Sequence, residues 1–247
     1  MIKLVVSDFD GTILPYTESA VSGKTIELIE NMIDSGIVFA VSSGRTYREL
    51  VSFFPEFKDS IYFICCDGAI TVKEEKTVYS RKIEMQDLEL FFKKGKENFS
   101  FVLHGADKNY CYGSIPAEAE RYDCIKIDSI YRIKERIYKI TSYGEPVELP
   151  EYCGIRSHWD GGRFKAAQYV NRFSNKGTAL SDLQTRLMLT KYDTAILGDK
   201  GNDVSMVRNA KISCCIGDSC EELSAMCTDR FGTADEAFEH ILSCYGK

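Results

Sequence analysis

Short apolar runs and helical stripes alternate along the first eighty residues. Lys3-Leu4-Val5-Val6-Ser7 is short, β-branched and stopped by Asp8-Phe9-Asp10-Gly11, which predicts a buried strand. Ser22 is placed to cap a helix over about 24–35. Ile26, Leu28, Ile29, Met32 and Ile33 form its apolar stripe, and Gly36 ends it. Ile37-Val38-Phe39-Ala40-Val41 predicts the second strand, with Ser43-Gly44-Arg45 opening the next helix. Ile61-Tyr62-Phe63-Ile64-Cys65 predicts the third. Strand and helix in alternation point to right-handed βαβ units and a parallel sheet.

From 82 to 167 the pattern changes to one helix over about 86–97 and shorter, more polar strands. Candidates are Phe101–His104, Tyr138–Thr141 and Gly154–Trp159, and Asp160-Gly161-Gly162 looks like a hairpin turn into Phe164–Val170. This predicts an α+β insert with antiparallel strands. The parallel pattern then resumes. Lys176-Gly177 precedes a helix carrying Ala179, Leu180, Leu183 and Leu187, and strands follow at Thr194–Leu197 and Ile212–Ile216. The fold expectation is α/β: a Rossmann-like parallel sheet core, 1–81 and 168–247, interrupted by a second domain at 82–167.

Composition narrows the class. The 247 residues are 44% hydrophobic and 28% charged, which excludes disordered, collagen-like and coiled-coil architectures. Lys plus Arg is 31 against 37 Asp plus Glu, a net charge of −6, and no long basic run offers a nucleic-acid footprint. No run approaches the roughly 18 apolar residues of a membrane span. The apolar start is cut off by Asp8 and Asp10, too early for a signal peptide. A cytoplasmic protein without a nucleic-acid or membrane partner is expected. The ten cysteines then read as reduced thiols, with Cys65-Cys66 and Cys214-Cys215 in apolar strand-like runs. The sequon at Asn98-Phe99-Ser100 carries no meaning in that compartment.

Ligands of open parallel sheets bind beyond the carboxyl ends of the strands. Asp8, Asp10, Gly11 and Thr12 follow the first strand, Ser43, Gly44 and Arg45 the second, and Asp199, Asn202 and Asp203 a later one. Four carboxylates on one edge repel unless a cation sits among them. An oxygen-only donor set suits a hard ion, Mg²⁺ above all in phosphate chemistry. Ser43-Gly44-Arg45 at a helix start and Lys176 before another suit a phosphate. One carboxylate can attack phosphorus, and a neighbour two residues on can handle the leaving oxygen's proton. Ser22-Gly23-Lys24-Thr25 lacks the upstream glycine of a phosphate-binding P-loop, because position 18 is Glu. His104, His158 and His240 lack nucleophile spacing. His158, Trp159, Arg156 and Arg163 read as packing and surface residues of the insert, or as a reader of the substrate's organic half.

Asp8-Phe9-Asp10-Gly11-Thr12-Ile13-Leu14 resembles the first motif of the haloacid dehalogenase superfamily phosphatases. Ser43-Gly44-Arg45 is similar to the second motif and Asn175-Lys176-Gly177 to the third. Gly198-Asp199-Lys200-Gly201-Asn202-Asp203 is similar to the fourth. All four stand in the family's order. The insert between the second and third motifs resembles the large α/β cap of the Cof-like subgroup, which helps choose substrate. The resemblance implies Asp8 as nucleophile and Mg²⁺ ligand, and Asp10 as general acid/base with its carbonyl on the metal. Asp199 and Asp203 complete the implied metal set. Gly11, Thr12, Ser43, Gly44, Lys176 and Asn202 are the implied phosphate-binding set. Ser43 stands where these enzymes usually carry Thr, and Asp67-Gly68-Ala69 where they usually carry Asn-Gly-Ala. The expected activity is Mg²⁺-dependent hydrolysis of a small phosphorylated metabolite, a sugar phosphate first of all, through an aspartyl-phosphate. A phosphomutase of the same fold is the alternative, and a non-catalytic phosphometabolite sensor a third.

Overall fold

The computed structural model describes residues 1–95, 100–115, 117, 123–144, 146–151, 153–158 and 166–245. They form two compact units, Met1–Tyr79 with Asn175–Lys247, and Ser80–Ser174.

In the first unit the strands are β1 (Leu4–Asp8), β2 (Val38–Ser42), β3 (Tyr62–Cys65), β4 (Ile70–Lys73), β5 (Lys76–Ser80), β12 (Thr194–Gly198), β13 (Ile212–Ile216) and β14 (Asp229–Phe231). They lie in the order β14-β13-β12-β1-β2-β3-β4-β5. From β14 to β3 every neighbouring pair is parallel, and β4 turns back antiparallel on β3. The central strands β1, β12 and β13 are buried along their whole length, as continuous apolar runs covered on both faces should be. Leu4 and Val6 of β1 pack with Leu180 and Leu183 of α4 (Lys176–Arg186) and with Met206 of α5 (Val204–Val207). Residues of opposite parity face the other way. There Phe39 meets Phe238 of α7 (Ala234–Tyr245) edge-on at 5.6 Å. Helix α1 (Gly23–Asp34) starts at the expected Ser22, whose hydroxyl accepts from Thr25 N.

The second unit holds a six-stranded sheet in the order β10-β11-β9-β6-β7-β8, built from β6 (Ser100–His104), β7 (Asn109–Tyr112), β8 (Cys124–Lys126), β9 (Lys139–Tyr143), β10 (Ile155–His158) and β11 (Ala166–Asn171). Only the β7–β8 pair among these is parallel. Helix α3 (Met85–Lys94) puts Phe91 against Phe101 and Tyr169 in a separate aromatic core.

Several expectations need correction. β11 belongs with the insert, since it pairs with β9 and β10, so the second boundary falls near 175 rather than 168. α3 ends at Gly95. The segment after β2 does not open a helix directly: α2 (Tyr47–Val51) is capped by Thr46, whose side chain and that of Glu49 form a capping box. Of the N–H groups expected to bind phosphate, Ser43 N donates to Ile64 O and Arg45 N to the Ser43 hydroxyl, while the box itself uses Thr46 N and Glu49 N. Lys176 lies inside α4, as its first residue, with Asn175 as N-cap. Cys66 stands in a tight turn with φ 52°, not in β3. The described cysteines are free thiols. The hairpin at 160–162, Trp159, Arg163 and the Asn98-Phe99 half of the sequon lie outside the described residues. Among the described residues no helix is long and apolar enough to cross a membrane.

Candidate active site

Parallel pairing decides which residues meet. β1 registers with β2 (Asp8 beside Ser42) and with β12 (Ser7 beside Leu197), so the segments that follow all three leave the sheet on one edge. Asp8, the last residue of β1, is buried. Its Oδ1 accepts from Lys176 Nζ at 2.5 Å and its Oδ2 from the Thr12 hydroxyl at 3.3 Å. Lys176 also donates to Asp203 Oδ1 at 2.6 Å. The other Asp203 oxygen accepts the main-chain N–H groups of Asp199 and Lys200 at 3.0 and 3.1 Å. Asp203 therefore ties the turn after β12 to the first residue of α4.

The charges are strongly coupled. Burial raises the Asp8 carboxyl well above its ordinary value, and Asp203 adds to this while Lys176 opposes it. Burial works to lower the Lys176 ammonium, but Asp203 and Asp8 outweigh it and hold the lysine charged, its pKa above the usual value. Asp199 is also raised, by burial first and Asp203 second. Lys176 bonds two of the three carboxylates and Lys200 opposes the rise at Asp199, so negative charge still outnumbers positive, an arrangement that a further cation relieves.

The donor set fits a divalent ion. Asp8, Asp199 and Asp203 each offer a carboxylate oxygen within 4.8 Å of the others. Asp199 Oδ1 is buried and accepts no hydrogen bond, an orphaned acceptor that costs free energy unless something positive reaches it. The side chain of Asp10 stays out of this cluster. Arg45 Nε and Nη2 clasp it at 2.9 and 2.6 Å, and Arg45 lies over the rings of Phe9 and Phe53. This answers what Arg45 does: it is the partner of Asp10.

The expected phosphate-binding residues gather at the same edge. Ser43 Oγ stands 3.4 Å from Asp10 Oδ2 and accepts from Arg45 N. Gly44 and Asn202 both approach Asp67: Asn202 Nδ2 donates to Asp67 Oδ1 at 3.4 Å, and a Cβ on Gly44 would come within 3.2 Å of that carboxylate. Asp67 is buried in the left-handed region, φ 54°, where Asn and Asp are the best-tolerated side-chain-bearing residues. Gly11 N is already donated to Leu14 O. What Gly11 brings is its missing side chain: at φ +91° a Cβ would stand 2.2 Å from Asp199 Oδ2 and 2.6 Å from the Tyr16 ring.

Tyr16 is the residue the sequence did not single out. Its single hydroxyl hydrogen is shared between two acceptors, the Asp10 carbonyl at 2.8 Å and Asp199 Oδ2 at 3.1 Å. Asp199 lies 183 positions away, too far for any local pattern to signal the contact. Burial and the charges of Asp199 and Asp8 push the phenol well above its ordinary pKa, so it stays a donor.

The family model of haloacid dehalogenase-like hydrolases matches residues 5–237. This chain belongs to the haloacid dehalogenase-like hydrolases. It is 24% identical over 228 residues to the 5-amino-6-(5-phospho-D-ribitylamino)uracil phosphatase YbjI of Escherichia coli (strain K12), a match covering 86% of this chain and 84% of the relative. Phosphoglycolate phosphatase 1 of Saccharolobus solfataricus is 24% identical over 224 residues, covering 90% and 86%. A haloacid dehalogenase-like hydrolase from Bacteroides thetaiotaomicron shares the fold at TM-score 0.87 and 18% identity, covering 98% of this chain and all of the other. The subclass IIB sugar phosphatase BT4131 does so at 0.79 and 18%, covering 98% of each. The chain is a Cof-like phosphatase of this family, a hydrolase acting on phosphomonoesters.

Proposed function

We propose that this haloacid dehalogenase-like phosphatase hydrolyses a small phosphorylated metabolite, a sugar phosphate first of all, with Asp8 as nucleophile and Mg²⁺ as cofactor. The observation that carries the reading is the state of Asp8: a buried carboxylate at a strand end, fixed by Lys176 and Thr12, with a second carboxylate two residues on held apart from it by Arg45.

Asp8, the Asp10 carbonyl and Asp199 would hold the metal, with Asp203 orienting the Asp199 turn. The ion would supply charge neutralisation around the transferring phosphoryl group. The chain's own residues account for the rest. An Asp8 carboxylate oxygen forms a bond to phosphorus as the bond to the substrate oxygen breaks. Asp10 gives its proton to that leaving oxygen and later takes one from the water that attacks phosphorus. The second attack frees Asp8 and phosphate. Lys176 holds Asp8 in one orientation and spreads the developing negative charge. Ser43, Gly44 and Asn202 would bind phosphate oxygens, with Gly11 and Thr12 shaping the turn beneath. Arg45 keeps the Asp10 carboxylate aimed between the two proton transfers. The insert, residues 80–174, is the expected source of substrate choice.

Asp8→Asn tests the reading. The variant should release no phosphate from a generic phosphomonoester with Mg²⁺, while the parent releases it and stops in EDTA. Near-normal turnover by the variant removes Asp8 as nucleophile. Incubating the parent with a hexose monophosphate separates hydrolysis, which yields free phosphate, from transfer, which yields an isomer.

A further inference from the structure

The Tyr16 hydroxyl has no part in the chemistry above, yet it stands against the Asp10 carbonyl that the proposed metal needs and against Oδ2 of Asp199, whose other oxygen, Oδ1, has no hydrogen-bond partner. Asp10 O and Asp199 Oδ2 come from separate strand ends and both point their lone pairs at that hydroxyl, at 2.8 and 3.1 Å. Two converging acceptors call for a positive centre, and the phenolic hydrogen supplies it here. Mg²⁺ binds oxygen at about 2.1 Å. A phenol oxygen hydrogen-bonded to both acceptors and an ion bound to both cannot share that point.

We infer that Tyr16 is a gate on the metal position: when docked it occupies the Asp10 carbonyl and the Asp199 carboxylate, and a divalent ion enters as the side chain swings out. The inference rests on the proposed reading of those oxygens as metal ligands. Three features make the gate workable. Gly11 leaves the space in which the ring lies, since a Cβ there would come 2.6 Å from it. Lys200 Nζ sits 4.2 Å from the ring centroid and holds the docked ring by a cation–π contact. Tyr16 is 51% exposed and belongs to the stretch 15–21, which carries no helix or strand, so water is open to the undocked ring. Docking lowers the apparent metal affinity by the fraction of molecules in which the gate is closed.

Calorimetric titration of MgCl₂ into the parent protein, Tyr16→Phe and Asp199→Asn tests this. Tyr16→Phe keeps the ring and removes both hydrogen bonds, and it should bind Mg²⁺ about tenfold more tightly than the parent. Unchanged binding overturns the gate, and weaker binding overturns it too, because it would make Tyr16 a ligand. Asp199→Asn should lose binding. If it binds like the parent, the metal reading itself fails, and an unaltered Tyr16→Phe beside a silent Asp199→Asn sinks the gate alone. A second readout needs no turnover. In protein labelled with fluorotyrosine, the resonance missing from Tyr16→Phe identifies Tyr16, and it should shift on addition of Mg²⁺. A resonance that stays in place overturns the inference.

Discussion

Lys176 shows how much a single buried charge can hold. It is 1% exposed and lies between Asp8, 7% exposed, and Asp203, fully buried, so none of the three can turn to water. Removing one member of such a group leaves the others uncompensated, which costs about 3–5 kcal/mol. Lys176→Met should therefore lower the free energy of unfolding by about that amount in the metal-free protein, read from urea denaturation. Added Mg²⁺ should restore part of the loss, because a divalent ion supplies the missing positive charge. A variant as stable as its parent would mean that the triad relaxes or takes up protons at no cost. At this scale the sequence was legible in identity but not in partnership. Asp8, Asp10, Lys176, Asp199 and Asp203 could be named from motif and strand-end position. That Arg45 takes Asp10, and that Tyr16 reaches Asp199, depends on contacts across 35 and 183 positions, which periodicity does not encode.

At the scale of the element, helix α4 is the one whose placement the site depends on. Its N-cap Asn175 and Thr178 form a reciprocal box that starts the helix at Lys176. The next residue, Gly177, lets α4 approach the 203–205 segment: a Cβ there would lie 2.0 Å from the main-chain oxygen of Ser205. Backbone cannot give way as a flexible side chain can, so Gly177→Ala should push the first turn outward. We expect about 1–3 kcal/mol of destabilisation in denaturant titration. Phosphate release should fall with it, since Lys176 moves too. An active and fully stable Gly177→Ala would place the tolerance of this contact higher than the geometry allows. Strong elements were readable because their patterns are strong: Ser22 caps α1 as its position suggested. β4, β5, β7, β8 and β14 were not, being short runs of mixed polarity whose pairing partners, rather than their composition, make them strands. The late start of α2 was available in principle, since Thr46 followed three residues on by Glu49 is a capping-box signature.

On the scale of the whole molecule, ion binding and folding are linked. A ligand that binds only the folded chain stabilises it, by about 2.7 kcal/mol at a hundredfold excess over its Kd. Mg²⁺ should then raise the thermal midpoint of the parent, EDTA should reverse the rise, and Asp199→Asn should abolish it. A midpoint indifferent to Mg²⁺ would contradict the proposed metal set. The two-unit organisation was also legible, because the hydrophobic pattern changes character after about residue 80. Its second boundary was drawn too early: reading Phe164–Val170 as the return strand of a hairpin already joins β11 to the insert, as its antiparallel ladders with β9 and β10 show, and the boundary falls after that strand.

The chain's own order of residues determined the alternation of buried strands and amphipathic helices, the interruption by a second unit, and the set of acidic, hydroxyl and lysine residues that follow the strands. Those are local properties, written in side-chain periodicity and turn chemistry. The packed structure decided which of these residues touch. It gave Asp10 to Arg45, shared Lys176 between two aspartates, left an oxygen of Asp199 without a donor, and set the Tyr16 hydroxyl against Asp10 O and Asp199 Oδ2. Such contacts are set by sheet register and by how closely helices approach, and both are settled only when distant segments pack together.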